Sequence, residues 1–364
     1  MNEFLGRNIY LAKKKVLIFV TQILEIGGIE SHLKEFCLQF KNSNELSISI
    51  LVLNSKASIQ THQFYNDMCE NVWIISNKNI IIRFLKLVLL LPILNLKNFE
   101  TLYSNGQGNS IFYLKKLLFS IKNWVHHHHT SGEIQDKNTW TNSYTKTLLN
   151  ANTIVACANY NATLISQTLV RNVISIPCFS RAIAIEKKAI NPKKIKMAYI
   201  GRLIKEKGIE AICKLSKLEE LKHIEFVIWG EGSLYPNAYF ASFPNVKYKG
   251  SYKNKQELTN ALNNIDAFIL YSSHPEGLPI SLLEIMSAGL PWIATKTGGI
   301  SELSIDNNLN YLLPQNTNFD ELVEHLKMFS NHLISLPSIA TKQIAAYDKT
   351  YAPAVVKQSW IQVL

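Results

Sequence analysis

Two carboxylates flank a glycine-rich turn in residues 274–299, which read HPEGLPISLLEIMSAGLPWIATKTGG. Glu276 lies in the turn, and Glu284 follows it eight positions later. Carboxylate oxygens accept hydrogen bonds from hydroxyl groups, so each side chain is suited to hold a polyol. The spacing allows both side chains to face one cleft.

The segment between the two carboxylates also predicts the start of a helix. Pro279 suits the first helical position, Gly289 suits the left-handed position beyond the helix, and Pro291 blocks continuation. We therefore expect a helix over about residues 279–288 whose unpaired N–H groups point toward Gly277. Such a helix end binds anions, phosphate among them. A molecule that is part phosphate and part polyol, such as a nucleotide-sugar, fits both features.

Backbone groups in two loops would let a phosphate approach the chain closely. The N–H groups of Gly277, Leu278 and Ile280 are expected to complete the anion site at the helix end. Gly27 and Gly28 follow the first predicted strand, where glycine leaves room for a ligand beside the backbone. A Gly-Gly pair also marks ordinary turns, so it is the position of this pair that favours a functional role.

A basic pair follows the first predicted strand of the second half. Gly201, Arg202 and Lys207 come after the apolar run that ends at Ile200. An arginine fork can bond two phosphate oxygens at once, and the lysine adds a second positive charge. The pair is placed to bind a diphosphate, and a surface pairing with Glu206 is the alternative.

Four consecutive histidines, His126 to His129, end another predicted strand. On a strand, His126 and His128 point to one face, and His127 and His129 point to the other. Four adjacent histidines therefore cannot all ligate one metal ion. The alternative to a functional role is that most of them are exposed or satisfied in the core.

The remaining metal-ligating residues form no recognisable set. The five cysteines are scattered without a close pair in the sequence, unlike disulfide frameworks or zinc motifs, which indicates a reducing, cytosolic environment. An Asp-x-Asp pair that would hold a divalent ion is absent. We therefore expect no metal and no cofactor, with Arg202, Lys207 and the helix N-terminus supplying the positive charge.

Short apolar runs alternate with longer helical patterns along the chain, and many of these runs are rich in β-branched residues. Such runs are typical of strands that are buried on both faces of a parallel sheet. The predicted strands are residues 16–20, 48–53, 72–75, 101–104, 123–127, 153–157, 173–176, 196–200, 225–229, 246–249, 267–270, 292–295 and 311–313.

This alternation predicts an α/β protein with two Rossmann-like, doubly wound domains that face a central cleft. A chain of 364 residues is also too long for one ordinary core. Ligands of such sheets bind at the carboxyl ends of the strands. We place the first, acceptor-side domain at residues 1–178, a linker at 179–195, the second, donor-binding domain at 196–345 and a terminal helical segment at 346–364.

Five segments taken together resemble the donor-site signature of the family 4 retaining glycosyltransferases, which have the GT-B fold. They are YIGRL at 199–203 with EKG at 206–208, VIWGEG at 227–232, NVKYKG at 245–250, DAFILYS at 266–272, and residues 274–299. These segments occur in the family's order and spacing over about residues 196–313. In the first half the resemblance rests mainly on GGIE at residues 27–30.

The resemblance implies a role for each charged candidate. Arg202 and Lys207 match the pair that neutralises the leaving diphosphate in the family. Glu284 matches the glutamate that grips the ribose hydroxyls of the nucleotide. Glu276 matches the glutamate that contacts the donor sugar near the reacting carbon.

The resemblance also bears on three other parts of the chain. Relatives place a histidine near the donor sugar at the end of a similar strand, and His127 or His128 would take that position. In the family the last helix crosses back onto the first domain, and residues 354–363 with Trp360 would do so here. Residues 176–180 lack the usual Pro-Asn-Gly segment, so linker contacts to the donor are not expected by analogy.

The charge distribution allows an acidic partner, such as an anionic membrane surface, a pyrophosphate-bearing acceptor or nucleic acid, or simply a basic, soluble surface. The net charge is +11, and residues 1–180 carry 17 basic against 10 acidic side chains. Residues 80–96 form an apolar run that is preceded by Lys78 and interrupted by Arg83 and Lys86, and it is too short and too charged to span a bilayer. It is either a basic amphipathic surface helix or an ordinary half-buried helix. An anionic membrane surface is favoured over nucleic acid, for which no motif is present.

The sequence thus predicts a retaining, hexosyltransferase-type glycosyltransferase that uses a nucleotide-sugar, with UDP-sugars favoured over GDP-sugars. The expected acceptor is a glycan or lipid-linked oligosaccharide for a cell-surface polysaccharide such as capsule, O-antigen or lipopolysaccharide. The expected location is cytoplasmic, peripheral on the inner face of the cytoplasmic membrane. A nucleotide-sugar epimerase of similar fold and a non-catalytic partner subunit are the alternatives. The epimerase would need acid–base carboxylates in the first domain's cleft, and the sequence shows no clear set.

Overall fold

The computed structural model describes residues 12–186, 190–191, 193–305, 310–335 and 339–364. Over these residues the chain forms two parallel β-sheets whose strands are connected mainly by helices. The predicted fold, two Rossmann-like α/β domains, is confirmed.

The first sheet is built from the strands of the first half of the chain. They are β1 (Lys14–Ile23), β2 (Leu46–Ser55), β3 (Asn71–Ile74), β4 (Thr101–Asn105), β5 (Asn123–His128), β6 (Thr153–Ala156) and β7 (Val173–Ser175). Among the described residues their order across the sheet is β3-β2-β1-β4-β5-β6-β7, and every neighbouring pair is parallel. Every strand predicted here from an apolar run is present, with bounds that differ by up to three residues.

The second sheet is built in the same way. Its strands are β8 (Ile195–Ile200), β9 (Ile224–Trp229), β10 (Val246–Tyr248), β11 (Ala267–Leu270), β12 (Trp292–Thr295) and β13 (Asn310–Leu313). Within the described part of the chain they lie in the order β10-β9-β8-β11-β12-β13, again all parallel.

Helices connect these strands and cover the sheets. The α-helices are α1 (Gly28–Phe40), α2 (Ile59–Met68), α3 (Ile80–Leu96), α4 (Ser110–Leu117), α5 (Ile134–Lys137), α6 (Asn142–Asn150), α7 (Asn159–Leu169), α8 (Ile209–Leu215), α9 (Asn237–Phe240), α10 (Lys255–Leu262), α11 (Ile280–Ser287), α12 (Phe319–Ser335), α13 (Ile339–Thr350) and α14 (Pro353–Val363). Short 3-10 helices cover Lys205–Lys207, Glu219–Leu221 and Gly298–Leu303.

The strand order reverses at β1/β4 in the first sheet and at β8/β11 in the second. At such a switch point the connections leave on opposite faces, which opens a crevice at the carboxyl ends of the strands. Gly27 and Gly28 come after β1, Arg202 comes after β8, and Glu276 comes after β11. The predicted site residues therefore lie at the crevices of both sheets.

The last helix belongs to the body of the first domain. Trp360 of α14 is fully buried, with its ring 5.0 Å from that of Tyr103 and 5.6 Å from that of Phe36. Thr101, at the start of β4, donates a hydrogen bond from its hydroxyl to the backbone oxygen of Leu364 at 2.8 Å. The chain therefore leaves the second sheet and ends against the first.

Helix α3 presents most of its apolar side chains to solvent. Only Leu90 and Leu94 of this helix are buried, whereas Ile80, Leu89 and Leu96 are 70–78% exposed. Leu87, Leu90, Leu91 and Leu94 form a face that packs against the core, so the structure agrees with a helix that has one buried face and leaves the membrane interpretation a proposal. No helix in the described residues has both the length and the apolar character needed to cross a membrane.

Candidate functional site

The loops at the carboxyl ends of both sheets line one cleft. From the first domain it is lined by the loop after β1, by the end of β5 and by the segment after β7; from the second domain, by the loop after β8 and by the turn that leads into α11. Ten of the predicted site residues line it: Gly27, Gly28, Gly201, Arg202, Lys207, Glu276, Gly277, Leu278, Ile280 and Glu284.

Glu276 and Lys207 form an ion pair within this cleft. Lys207 donates from Nζ to Oε1 of Glu276, and the hydroxyl of Ser272 donates to the same oxygen at 2.6 Å. Burial alone would raise the pKa of Glu276, but the Lys207 ammonium and these two hydrogen bonds outweigh it and hold that pKa below its usual value. Glu276 is therefore an ionised carboxylate in a fixed position.

Arg202 is the unpaired cation of the cleft. Its side chain is exposed and makes no hydrogen bond or ion pair with the described residues, while its backbone oxygen accepts from the Tyr199 hydroxyl at 2.7 Å. The alternative of a surface pairing with Glu206 is not found among the described side chains. A guanidinium held at the rim with free donors is available to a bound anion.

Glu284 is held by an arginine that the sequence did not indicate. Arg181 donates from Nε to Oε1 of Glu284 at 2.6 Å, and its guanidinium also donates to the Tyr252 hydroxyl at 3.0 Å. Burial raises the pKa of Glu284 and the Arg181 charge opposes this; in turn, Glu284 raises the pKa of Arg181 although burial lowers it. No described side chain donates to Oε2 of Glu284, and the backbone N–H of Arg181 also contributes a hydrogen bond to this carboxylate.

The N-terminus of α11 opens into the cleft close to the predicted position. Pro279 is the N-cap residue with an extended backbone, so the helix begins at Ile280, one residue later than predicted. Gly289 has the expected left-handed backbone, with φ of 70°. The first N–H groups of a helix have no intrahelical partner, and those of Ile280 and Ser281 lie among the cleft residues. The helix end is suited to bind an anion.

The turn that carries Glu276 is locked to the first domain. Thr130 and Glu276 pair as an antiparallel bridge, and Asn161 donates from its side chain to the backbone oxygen of Gly277 at 2.7 Å. A Cβ atom at Gly277 would lie 2.1 Å from the backbone oxygen of His129, so only glycine allows this approach. The position of the Glu276 carboxylate therefore depends on both domains.

The two glycines after β1 differ in their surroundings. A Cβ atom at Gly27 would lie 2.1 Å from Oε2 of Glu30, whose Oε1 accepts from the Leu24 N–H at 3.1 Å. A Cβ atom at Gly28 would meet nothing within 4 Å. A side chain at Gly27 would therefore displace the Glu30 carboxylate, while Gly28 faces open space at the N-terminus of α1.

The structure does not bring His127 or His128 to the cleft. His128 lies on the opposite face of β5, where its Nε2 is 3.0 Å from Oδ2 of Asp136. Burial alone would raise the pKa of Asp136, but bonds from His128, Thr130 and the Gly132 N–H lower it to about 2. His128 is thus a core residue in a hydrogen-bonded network and does not line the cleft.

His127 is also in the core, and His129 is the histidine that lines the cleft. His127 is fully buried, with Nδ1 3.0 Å from the Tyr103 hydroxyl and Nε2 3.4 Å from Sγ of Cys157. Burial lowers the pKa of His127 well below its ordinary value, so the ring is neutral. Two residues farther along the chain, β5 has ended and His129 lines the cleft, which His127 does not.

Cysteines that are far apart in the sequence lie close together in the fold. Sγ of Cys157 is 3.5 Å from Sγ of Cys178, and Sγ of Cys69 is 3.6 Å from Sγ of Cys37. The hydrogen bond from Cys157 lowers the pKa of Cys178 to about 6 despite its burial, and the nearby His129 contributes. Cysteines that are not close in the sequence therefore form two close pairs in the fold, which the sequence did not predict.

The sequence did not indicate Tyr252 and Cys178, which line the cleft, or Arg181, which holds Glu284. Arg181 and Cys178 belong to the segment between the two sheets, where no motif predicted a contact. The position of Arg181 and Cys178 in the chain could have indicated a role, because a segment that joins two domains across a cleft must pass the edge of that cleft.

Comparisons with known proteins agree with this geometry. Residues 180–335 match the family model described as glycosyl transferases group 1. An amylovoran biosynthesis glycosyltransferase of Erwinia amylovora is 28% identical over 177 residues, which are 42% of this chain and only 43% of that relative. An uncharacterized glycosyltransferase of Methanocaldococcus jannaschii is 28% identical over 351 residues, which cover 84% of this chain and 87% of that one.

Solved structures show the same architecture over nearly the whole chain. TarM of S. aureus superposes with a TM-score of 0.74 at 13% identity, covering 96% of this chain and 98% of TarM. HepE of Anabaena, in complex with UDP-glucose, superposes with a TM-score of 0.71 at 13% identity, covering 95% and 97%. The chain therefore has the GT-B fold.

Proposed function

We propose that this protein is a retaining glycosyltransferase, of hexosyltransferase type and similar to family 4, that moves one sugar from a nucleotide-sugar to a glycan or lipid-linked oligosaccharide. UDP-sugars are favoured over GDP-sugars as donors. The observation that carries the proposal is the meeting of Arg202, Lys207, Glu276, Glu284 and the N-terminus of α11 in one cleft between two Rossmann-like domains.

The donor diphosphate would bind where the positive charge is concentrated. Arg202 offers unpaired donors at the rim, and Lys207 lies across the cleft floor against Glu276. The N–H groups at the start of α11 add a third anion-binding element. Together they would stabilise the charge that develops on the leaving diphosphate, so this step needs no divalent ion.

The two carboxylates would contact the ribose and the sugar of the donor. Oε2 of Glu284 would accept from a ribose hydroxyl while Arg181 keeps Oε1 in place. Glu276 would accept from a hydroxyl of the sugar, and its bonds to Lys207 and Ser272 fix its orientation. We assign the contact near the sugar to His129 as well, since it is the cleft histidine.

The chemistry in this proposal is front-face substitution. The bond from the anomeric carbon to the diphosphate oxygen breaks through an oxocarbenium-like state, and the acceptor hydroxyl attacks the same face, losing its proton to the departing phosphate. Glu276 would stabilise the positive charge on the sugar, and the cations would stabilise the negative charge on the phosphate. The two domains would exclude water, which otherwise hydrolyses the donor.

The surface of α3 supports an acceptor that is presented at a membrane. Ile81, Phe84, Leu85 and Leu89 are exposed on this helix. It also carries Arg83 and Lys86, and the first half of the chain holds the larger positive excess. Exposed apolar side chains beside basic ones bind anionic bilayers reversibly. We therefore propose peripheral association with the cytoplasmic face of the membrane during synthesis of a cell-surface polysaccharide.

An epimerase would need acid–base carboxylates from the first domain at the cleft. Among the described cleft residues of that domain, none is a carboxylate. No specific observation therefore favours the epimerase.

Donor binding and product stereochemistry test the proposed function. A thermal-shift screen across UDP- and GDP-sugars should show a rise in melting temperature with at least one donor, and more often with UDP-sugars. Glu284→Gln should weaken binding of the free nucleoside diphosphate. Glu276→Gln should leave that binding unchanged and lower the rate with the intact donor.

Proton NMR of the product should show the same anomeric configuration as the donor. An inverted product would contradict the retaining mechanism, and no stabilisation by any donor would favour a non-catalytic subunit.

A further inference from the structure

Four metal-ligating side chains meet at the carboxyl end of the first sheet. His127 and His129 come from β5 and its end, Cys157 directly follows β6, and Cys178 lies just after β7. One ligand atom from each residue lies within 4.8 Å of the other three. We call these residues the Cys-His cluster.

Four of the six distances between the ligand atoms are close to the edges of a tetrahedron, and the other two are within 4.8 Å. Sγ of Cys157 lies 3.4 Å from Nε2 of His127, 3.9 Å from Nδ1 of His129 and 3.5 Å from Sγ of Cys178. The distance from Sγ of Cys178 to Nδ1 of His129 is 3.5 Å. Tetrahedral zinc, with bonds of about 2.3 Å to sulfur and about 2.0–2.1 Å to nitrogen, requires edges of about 3.3–3.8 Å. The four measured edges lie close to this range.

The charge of the cluster suits a divalent ion in a buried place. Cys157, Cys178 and His127 are 0–3% exposed. Two thiolates and two neutral imidazoles would neutralise one Zn²⁺ ion, so the loaded site would carry no net charge into the interior. Magnesium and calcium prefer oxygen ligands, which this set of sulfur and nitrogen atoms does not supply.

Hydrogen bonds around the cluster already orient one of the imidazoles. Nδ1 of His127 lies 3.0 Å from the Tyr103 hydroxyl, so its Nε2 points toward Cys157. The same hydroxyl lies 2.9 Å from Nε2 of His32, whose Nδ1 accepts from the Phe179 N–H at 2.9 Å. With a metal at Nε2, the Nδ1–H of His127 would donate to the Tyr103 oxygen, an outer bond of the kind that metal-bound histidines usually make.

We propose that His127, His129, Cys157 and Cys178 bind one zinc ion in a closed, structural site. The ion would join the ends of β5 and β6 to the segment after β7, and thereby fix the edge of the cleft. The four side chains would fill all four coordination positions, so the ion takes no part in the transfer chemistry. His129 would coordinate through Nδ1, and its Nε2, which has no partner among the described residues, would make the contact near the sugar. The ligands are spread over 52 residues of sequence and follow no zinc motif, so the sequence alone did not indicate a metal site. The proposal does not depend on the proposed function.

Metal content and cobalt spectroscopy test this site on the full chain. Protein purified under reducing conditions should contain about one zinc per chain by elemental analysis. Replacement of the zinc by Co²⁺ should give the intense visible bands of a tetrahedral ion and a thiolate-to-cobalt charge-transfer band. Cys157→Ser and Cys178→Ser should each abolish stoichiometric binding. Tyr103→Phe should lower the zinc affinity by about 10- to 100-fold.

A second cysteine pair in the same chain provides the control. Cys37 and Cys69 lie at a similar separation, 3.6 Å, and the structure gives no histidine contact to either sulfur among the described residues. The Cys37→Ala/Cys69→Ala variant should keep its zinc and its cobalt spectrum. Wild-type protein without zinc and without tetrahedral cobalt bands would overturn the proposal, whether or not the serine variants fold. A Cys157–Cys178 disulfide in reduced preparations, or equal zinc loss in the control variant, would overturn it as well.

Discussion

Nε of Arg181 donates to Oε1 of Glu284 at 2.6 Å, although the two residues are 103 positions apart. Arg181 lies in the segment between the two sheets, and Glu284 lies on α11 at the cleft. The glutamate that we assign to the ribose is therefore held by the segment that joins the domains.

The first prediction concerns this pair. Arg181→Ala removes the positive charge that faces the buried Glu284 carboxylate, which should lower the free energy of unfolding. The loss should be smaller than the about 3–5 kcal/mol of a fully buried pair, because Arg181 is 19% exposed. The variant should also bind nucleoside diphosphate more weakly. Chemical denaturation and calorimetric titration measure the two effects.

A double-mutant cycle separates the two effects. Adding Glu284→Gln to Arg181→Ala should restore part of the lost stability, because a neutral amide is less costly to bury than a charge. Nucleotide binding should stay weak, since the carboxylate is absent. Additive losses of stability in the double variant would show that the two side chains do not depend on each other.

The sequence predicted the architecture better than it predicted the site. Parallel strands that are buried on both faces need continuous apolar runs, so β1 through β13 could be found from local composition. The loops around Arg202 and Glu276 carry local motifs and were found for the same reason. Arg181 and Cys178 act through contacts between segments that are distant in the chain, and no local pattern records those.

The histidine run shows the same limit on a smaller scale. Alternation along a strand separates His127 and His129 from His126 and His128, and the structure has this arrangement. The point at which β5 ends decides which of them reaches the cleft, and that point depends on pairing with β4 and β6. Periodicity alone could not place it.

Gly28 gives the second prediction, which concerns room for the donor. Because a Cβ atom there would meet nothing within 4 Å, Gly28→Ala should fold normally, and its melting temperature should be unchanged or slightly raised. The added methyl group would stand where the donor phosphate is proposed to approach, so the KM for the nucleotide-sugar should rise. A lowered melting temperature with an unchanged KM would place the role of this glycine in folding instead.

The third prediction is that transfer needs no added divalent ion. Arg202, Lys207 and the α11 N-terminus already supply the charge that magnesium or manganese would supply. The initial rate should be the same after brief EDTA treatment, and neither metal should raise it. Loss of activity that Mg²⁺ or Mn²⁺ restores would contradict this. Loss that only Zn²⁺ restores would instead point to the Cys-His cluster.

Membrane association is the fourth prediction. The protein should sediment with anionic vesicles and be released at high salt, since each basic side chain near such a surface contributes about 1 kcal/mol. Arg83→Glu with Lys86→Glu should weaken sedimentation strongly and leave donor hydrolysis unchanged. Lys247→Glu with Lys249→Glu, the same charge change on the second domain, should have a smaller effect. Equal sedimentation with neutral and anionic vesicles, or none with either, would favour a soluble acceptor.

Release of nucleoside diphosphate from a nucleotide-sugar tests the central claim most directly. Arg202 makes no side-chain bond with the described residues, so Arg202→Ala should leave folding intact. It should lower turnover by about 10- to 150-fold, because the loss of one charge-assisted contact of about 1.5–3 kcal/mol raises the activation free energy by that amount. Lys207→Ala should have at least as large an effect, and Lys205→Ala, an exposed lysine on the same 3-10 helix, should have little. Near-normal release of the nucleoside diphosphate by both the Arg202 and the Lys207 variants would contradict the account.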